Sequence, residues 1–578
     1  MAVETLAILV IPAVGFILAY QFYGKFLSRR IFNFIEEEPM PSHAKKDGID
    51  YVPTRRVILF GHHYTSIAGA GPIIGPAIGV AWGWLPALLW VFLGSIFIGA
   101  VHDLGALSLS LRHGGRTVGD ISRDILNPRV RFAFFLFVLF ALTLVLAVFL
   151  YFIAKLFIEF PGSVLAIWLQ IPIAVTLSWA VYRKGVSLAV AATLAVLAMY
   201  LTIVLGHFLP ISIQDYLPEG NTGFLSPFFV WISILLVYCF FASVLPVHVL
   251  LQPRDYINSN ELYIGVALIL LGFLIAPQPM AAPAFTTGFA GAPPLFPMMF
   301  IVIACGAISG FHCLVASGTT SKQLDKPSDA CSIGYGAMLL EGALAVIVVV
   351  ACCSGLSAET WSARYASWAS AGAGALSSFV LGSASYIAAV GIPEEFARTL
   401  VAVILVSFCG TTLDTATRIQ RYVVTELANT VKVRGLTRRF PATLLVCLLA
   451  LCLSMFRDPV EKVIGSGGYI LWPLFGNINQ MLGCLALMIA TVYLAKRRKP
   501  IVFTAIPMLF LLVMTGWAIF RQTKGFILPA EGLEPNYLLF GVSVVIIALE
   551  VWVLVEGVLA FAGALAARAA EAQEMVRA

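Results

Sequence analysis

The chain is built of long apolar runs parted by short polar joints. Runs occur at 3–27, 61–80, 84–111, 132–158, 163–182 and 185–209, then at 227–251, 258–276, 296–317, 331–355, 366–391 and 396–413. Further runs lie at 441–456, 467–494, 501–520 and 537–562. A helix needs about 20 such residues to cross the hydrocarbon layer. The runs are continuous, without the every-second-residue alternation of a transmembrane barrel, which is therefore excluded. The pattern predicts an all-α polytopic membrane protein with about 15 crossings. The run at 1–27 has no basic segment ahead of it and no small-residue cleavage site behind it, so it reads as a retained, extra N-terminal helix.

The polar joints set orientation. Basic residues gather at Lys25–Arg56, at Arg112–Arg131, at Arg418–Arg439 and at Lys496–Lys499, and such loops mark the cytoplasmic side. The opposite joints, 211–222 and 276–296, carry no basic residue. Following the runs between these marks puts the N-terminus outside and the C-terminus in the cytoplasm. Parity then makes a demand on 366–413, which must cross an odd number of times although it holds two apolar runs. One of them is re-entrant, interfacial or broken.

Two units emerge from that path. Residues 61–209 make five crossings that begin inside, and 227–413 make five that begin outside, with 441–578 supplying C-terminal helices. Inverted five-helix repeats build secondary transporters, and they break the leading helix of each unit near mid-membrane. In the first unit that helix contains Gly69, Gly71, Pro72, Gly75 and Pro76; in the second it contains Pro246. Proline removes an amide and clashes with the preceding turn, and glycine weakens a helix. An unwound segment frees carbonyls for a cation and exposes a half-helix N-terminus that attracts a carboxylate. Glycine and proline also serve plain packing in membrane helices, which is the competing explanation.

Ionisable groups at membrane depth stand out because they are costly there. His62 and His63 precede the first break; as neighbours on a helix they point about 100° apart, which suits a proton-handling or polar vestibule better than one shared zinc ion. Asp103 and Glu341 lie inside apolar runs and are candidates for proton or cation coupling, with pairing to an arginine as the alternative for Asp103. Ser317, Thr319 and Thr320 put hydroxyls at a helix end, suited to a hard cation or a substrate carboxylate, or to ordinary turn chemistry. Arg254 reads as an interfacial anchor. Asp414 and Arg418, four apart, read as an ion pair on one helix face. Glu550 and Glu556 read as packing pairs or a relay.

Composition narrows the function classes. Hydrophobic residues make up 60% of the 578, charged residues only 11%, and the mean hydropathy is +0.94, so no sizeable soluble domain exists to carry an enzyme. The net charge of +6 sits in short loops and is an orientation signal, not a nucleic-acid footprint. Most of the ten cysteines lie in apolar runs, where thiols act as small apolar side chains. No GxSxG, HExxH or paired-cysteine metal motif occurs. The chain reads as a non-enzyme needing no cofactor beyond a coupling proton or sodium ion, with the bilayer and a small-molecule nutrient as its partners.

Several motifs together resemble the carbon-starvation protein family of bacterial inner-membrane transporters. They are Phe60-Gly61-His62-His63 with Ala68-Gly69-Ala70-Gly71-Pro72, Ser243-Val244-Leu245-Pro246 with Pro253-Arg254-Asp255-Tyr256, and Ser309-Gly310-Phe311-His312 with Ser317-Gly318-Thr319-Thr320. Ile333-Gly334-Tyr335-Gly336 and Leu471-Trp472-Pro473-Leu474-Phe475-Gly476 complete the set. The resemblance implies peptide or pyruvate import under carbon starvation. It also implies kinship with the amino acid–polyamine–organocation carriers and their LeuT-like inverted repeat.

The resulting expectation is a cation-coupled symporter in the bacterial inner membrane. Thr65, Ser66, Gly69, Gly71, Gly75 and the backbone near Pro246 are expected at the substrate, with Ser317, Thr319 and Thr320 at substrate or cation. His62, His63, Asp103 and Glu341 are expected to serve coupling. The alternative is an ion or small-solute channel, since glycine-rich breaks also build filters. Peptide and pyruvate, proton and sodium all stay open at this point.

Overall fold

The computed structural model describes residues 2–577 apart from 35–38, 287–290, 458–461 and 529–534, and the chain is all helix and loop. Its main helices are α1 (Thr5–Ile31), α2 (Arg56–Ile67), α3 (Gly71–Gly79), α4 (Trp84–Arg112), α5 (Val118–Ile125), α6 (Pro128–Glu159), α7 (Gly162–Tyr182), α8 (Leu188–Phe208), α9 (Pro227–Val244) and α10 (Leu251–Ile275). They continue as α11 (Leu295–Val302), α12 (Gly310–Gly318), α13 (Pro327–Ser354), α14 (Trp368–Ala389), α15 (Glu394–Thr430), α16 (Arg439–Ser454), α17 (Ser466–Lys496), α18 (Val502–Ile527) and α19 (Tyr537–Gly563).

Among the described residues, 13 helices are long and apolar enough to cross a membrane, and the bent pair α2–α3 brings the number to 14. Local signals set their starts. Asn127 accepts from the Arg129 and Val130 amides at 2.9 and 3.0 Å ahead of Pro128, and Ser226 accepts from Phe229 N at 3.2 Å ahead of Pro227. A polar N-cap followed by proline satisfies the open amides of the first turn. The core lies along α6 and α15, which pack against each other and are buried over most of their length, while α1, α7, α8, α18 and α19 turn apolar side chains outward.

Two interruptions organise the centre. Between α2 and α3 the chain bends by 44° across Ala68–Ala70. Between α11 and α12 it is non-helical over 303–309, where Gly306 takes φ +88°, a left-handed conformation open to glycine. The two breaks touch. A Cβ on Gly71 would meet Cys305 at 2.4 Å, and one on Gly75 would meet the Val302 carbonyl at 2.7 Å.

The second interruption is therefore not the one expected at Pro246. That proline lies in the turn between α9 and α10, where Val247 N donates to the Ile49 carbonyl at 3.2 Å, so it joins two helices at the basic face. A proline beside a helix end is compatible with both flanking helices, and nothing there leaves a span broken at mid-depth.

In 366–413 both runs are regular helices, α14 and α15. The first of them runs across one face. Trp368 near its start packs on Trp82 with ring centroids 4.9 Å apart, and Tyr386 near its end pairs with Ser354 at 2.7 Å and packs on Phe273 at 5.4 Å. Trp82, Ser354 and Phe273 all stand at helix ends opposite the basic loops. Both ends of α14 thus lie near helix ends opposite the basic loops, and its 22 residues are also long and apolar enough to cross a membrane.

Candidate functional site

α4, α12 and α13 bring three ionisable side chains into line where the two breaks meet. His312, in the first turn of α12, has Nδ1 3.0 Å from Asp103 Oδ2, and its Nε2 lies 3.2 Å from Glu341 Oε2. The other oxygens are also engaged: Asp103 Oδ1 faces His102 Nδ1 at 2.7 Å, and Glu341 Oε1 accepts from the Gly306 amide at 3.0 Å. Asp103, His312 and Glu341 are wholly buried. The His312–Glu341 contact is at ion-pair distance but off the hydrogen-bond line, leaving both atoms with unused capacity. His312 is also in reach of the Ile67 carbonyl at the end of α2.

The break in α11–α12 is held by Asn479 of α17. Its carboxamide oxygen accepts from Phe311 N at 2.9 Å and from Ser309 Oγ at 3.1 Å, so a side chain from a neighbouring helix caps α12. Glu341 holds the amide of Gly306 in the same loop. Both contacts satisfy backbone amides that unwinding leaves without helical partners.

At the other break the end of α2 meets hydroxyls of α15. Ser66 Oγ lies 3.1 Å from Thr415 Oγ1, and Thr412 Oγ1 donates to the Ser66 carbonyl at 3.1 Å. Gly69 stands against Thr412 and Phe149. Gly71 and Gly75 thus lie where the two breaks meet, while Ser66 and Gly69 face α15. Thr65 instead donates back to the Gly61 carbonyl at 2.8 Å.

The two histidines diverge, as adjacent helical positions do. His62 Nδ1 contacts Asp255 Oδ2 of α10 at 2.5 Å, and His63 Nδ1 contacts Thr320 Oγ1 at 2.8 Å. Among the described residues no group of three or more His, Cys, Asp and Glu side chains is arranged to hold a metal ion. Ser317 and Thr319 donate to carbonyls of their own helix, Cys313 at 2.6 Å and Val315 at 3.0 Å, which is ordinary helix-end chemistry. Ser317 also accepts from Val118 N of α5 at 3.2 Å, so this end of α12 faces the basic side.

Two sequence expectations change. Arg254 is buried in α10, not at the interface, and pairs with Asp414 of α15 and the Tyr238 hydroxyl. Asp414 and Arg418 do not pair with each other; Arg418 reaches Asp50 at 3.0 Å. Four residues of helix put their side chains on one face, but Arg254 and Asp50 from other segments approach more closely. Glu556 of α19 accepts from Asn127, ahead of α6, at 2.6 Å. His312, His102, Asp255, Thr412, Thr415 and Asn479 were not singled out as site residues. An ionisable residue inside an apolar run was the available signal for His312, and the cluster Asn477, Asn479 and Gln480 inside another run was the signal for Asn479.

Fold and site together define a multi-pass membrane protein with a buried ionisable cluster between two interrupted helices. The profile of the family described as carbon starvation protein CstA matches residues 4–364 and 358–518, and the chain belongs to that family. A peptide transporter CstA of Campylobacter jejuni is 31% identical, over 88% of this chain and 79% of the relative. A peptide transporter CstA of Bacillus subtilis is 30% identical over 94% of each. The pyruvate/proton symporter BtsT of Escherichia coli is 29% identical over 89% of this chain and 81% of its own. This chain is a secondary transporter, not an enzyme. Among solved structures, MhsT in complex with L-phenylalanine aligns at TM-score 0.47 and 13% identity over 81% of this chain and 98% of its own. A manganese transporter mutant of Eremococcus coleocola aligns at 0.43 and 14% over 89% and 99%.

Proposed function

We propose that this protein imports a small carboxylate-bearing nutrient, pyruvate or a short peptide, across the bacterial inner membrane together with a proton. The N-terminus lies outside and the C-terminus in the cytoplasm. The observation that carries the coupling is the wholly buried line Asp103–His312–Glu341 beside both breaks. A ring between two carboxylates holds either one proton or two, so the trio steps between two net negative charges and one as a coupled unit. Charge uncompensated in a dry interior is unfavourable, which ties proton uptake to the closed state. Sodium is the second candidate for the coupling ion, and the hydroxyls of Thr412 and Thr415 beside Ser66 suit it.

The two repeat halves are better divided than the run count suggested. Pairing the breaks sets α2–α3 against α11–α12, α4 against α13, α6 against α15, α9 against α16 and α10 against α17. The α7–α8 hairpin is then an insertion in the first half. Two features support this reading: α9 and α16 both pack on α6 and α15, and α5 on the basic face answers α14 on the opposite face. About 15 crossings remain when α14 lies along the surface.

The test is uptake of labelled pyruvate and of di- and tripeptides into proteoliposomes, with proton and sodium gradients imposed separately. Accumulation of pyruvate or a peptide that collapses with the proton gradient is expected. Asp103→Asn should lose gradient-driven accumulation while keeping substrate exchange; wild-type accumulation in Asp103→Asn removes the coupling role.

A further inference from the structure

A second polar cluster lies apart from the central line, among α7, α8, α10 and α15. Its hub is Ser407. Gln170 Nε2 of α7 donates to Ser407 Oγ at 2.7 Å, and that hydroxyl donates to Glu261 Oε2 of α10 at 3.4 Å. Asn258, one turn before Glu261, directs its Nδ2 at the Ser407 carbonyl at 3.5 Å and at Thr411 Oγ1 at 3.2 Å. These contacts fix which way both carboxamides point, since only their NH2 groups can serve a carbonyl or a hydroxyl whose proton is already given away.

The two NH2 groups and the serine hydroxyl are then spent, and what remains on these four side chains is acceptors. Glu261 Oε1, Gln170 Oε1 and Asn258 Oδ1 have no hydrogen-bond partner, nor has the hydroxyl of Tyr200 on α8, for which Glu261 is a charged neighbour. Gln170 is 2% exposed, Asn258 0% and Glu261 1%. The cation that acts on Glu261 is Arg254, two turns away on α10 and already committed to Asp414. Three free carbonyl and carboxylate oxygens around one serine, with one negative charge, ask for a ligand that has no lone pairs. One proton satisfies at most two of them. A hard monovalent ion takes several oxygens at once.

We propose that Glu261, Gln170, Asn258 and Ser407 form a binding site for an alkali cation of sodium size, separate from the Asp103–His312–Glu341 line. The proposal stands whatever nutrient is carried.

The purified full chain in detergent is titrated with NaCl against choline chloride at constant ionic strength and pH, and its thermal midpoint is followed. Wild type is expected to gain several degrees in sodium and little in choline, because an ion bound only by the folded state shifts the transition. Glu261→Gln should abolish the shift. Ser407→Ala, which keeps the charge but removes the hub hydroxyl, should weaken half-saturation by at least about tenfold; it decides the matter if Glu261→Gln does not fold. No sodium-specific shift in wild type overturns the proposal, as does a full shift in both variants. A midpoint that follows pH alone, with no response to sodium, lithium or potassium, makes Glu261 a proton carrier and equally overturns it.

Discussion

Asp50, in the polar loop ahead of α2, accepts a hydrogen bond at 3.0 Å from Arg418 of α15, joining the loop to the helix at the basic face. Tyr422 donates to the same oxygen at 2.6 Å, and Arg418 also donates to the Ala242 and Leu245 carbonyls at the end of α9. Lys322, after α12, lies over the Tyr422 ring at 4.1 Å. Segments from both sides of the central cluster are thus fastened together at the basic face.

The Asp50 carboxyl predicts a pH response. Burial raises its pKa, but Arg418, Lys322, the Tyr422 hydrogen bond and Arg421 outweigh that and hold it below the ordinary value. A carboxyl depressed in the folded state contributes stability above its unfolded pKa of about 3.9 and loses it as pH falls through the lower folded value. Asp50→Asn should destabilise by about 2 kcal/mol near neutral pH, the scale of a lost charged hydrogen bond. The difference from wild type should vanish in strong acid. Thermal midpoints of both proteins from pH 7 down to about pH 2 check this; a difference that stays constant below about pH 4 refutes it.

Glycine at the crossing of the breaks is needed for space. Gly75→Ala would set a Cβ against the Val302 carbonyl at 2.7 Å and Ile303 Cα at 3.1 Å, both backbone and unable to swing aside. Uptake should fall at least tenfold and stability with it. Gly516→Ala, on α18 with nothing within 4 Å, is the matched control and should transport normally.

Asn479→Leu removes the group that caps α12. It leaves the Phe311 amide and the Ser309 hydroxyl without that acceptor, a loss of about 1–3 kcal/mol for buried donors. Expected are a lower thermal midpoint and reduced uptake, with Asn479→Asp milder than Asn479→Leu because it keeps an acceptor oxygen.

The course of α14 makes a topological prediction. Ala369 and Glu395 are exposed near its start and just beyond its end. In a Cys452→Ser background, which removes the exposed native thiol, single cysteines at both positions should react with an impermeant maleimide from the same side of the membrane. Reaction from opposite sides means that α14 crosses.

How much of this was readable from the sequence differs by kind of feature. Apolar runs report helices because the bilayer enforces both length and hydrogen bonding, and the break at Gly69–Gly75 was visible in its glycines and prolines. The second break was misplaced to Pro246 because proline is the louder signal, while the actual interruption is held open from outside by Asn479 and Glu341. Asp103 and Glu341 were legible as costly groups, yet their meeting through His312 depends on contacts between segments more than 200 residues apart, such as that of His312 with Asp103. The pairing of Asp414 with Arg254 was hidden for the same reason: spacing along one helix reports only what its own face offers.

One rod is common to several polar contacts outside the Asp103–His312–Glu341 line. α15 supplies Ser407 to the lateral cluster, Thr412 and Thr415 to the first break, Asp414 to Arg254 and Arg418 to the loop latch. A tilt or roll of that single beam would displace all of these contacts together.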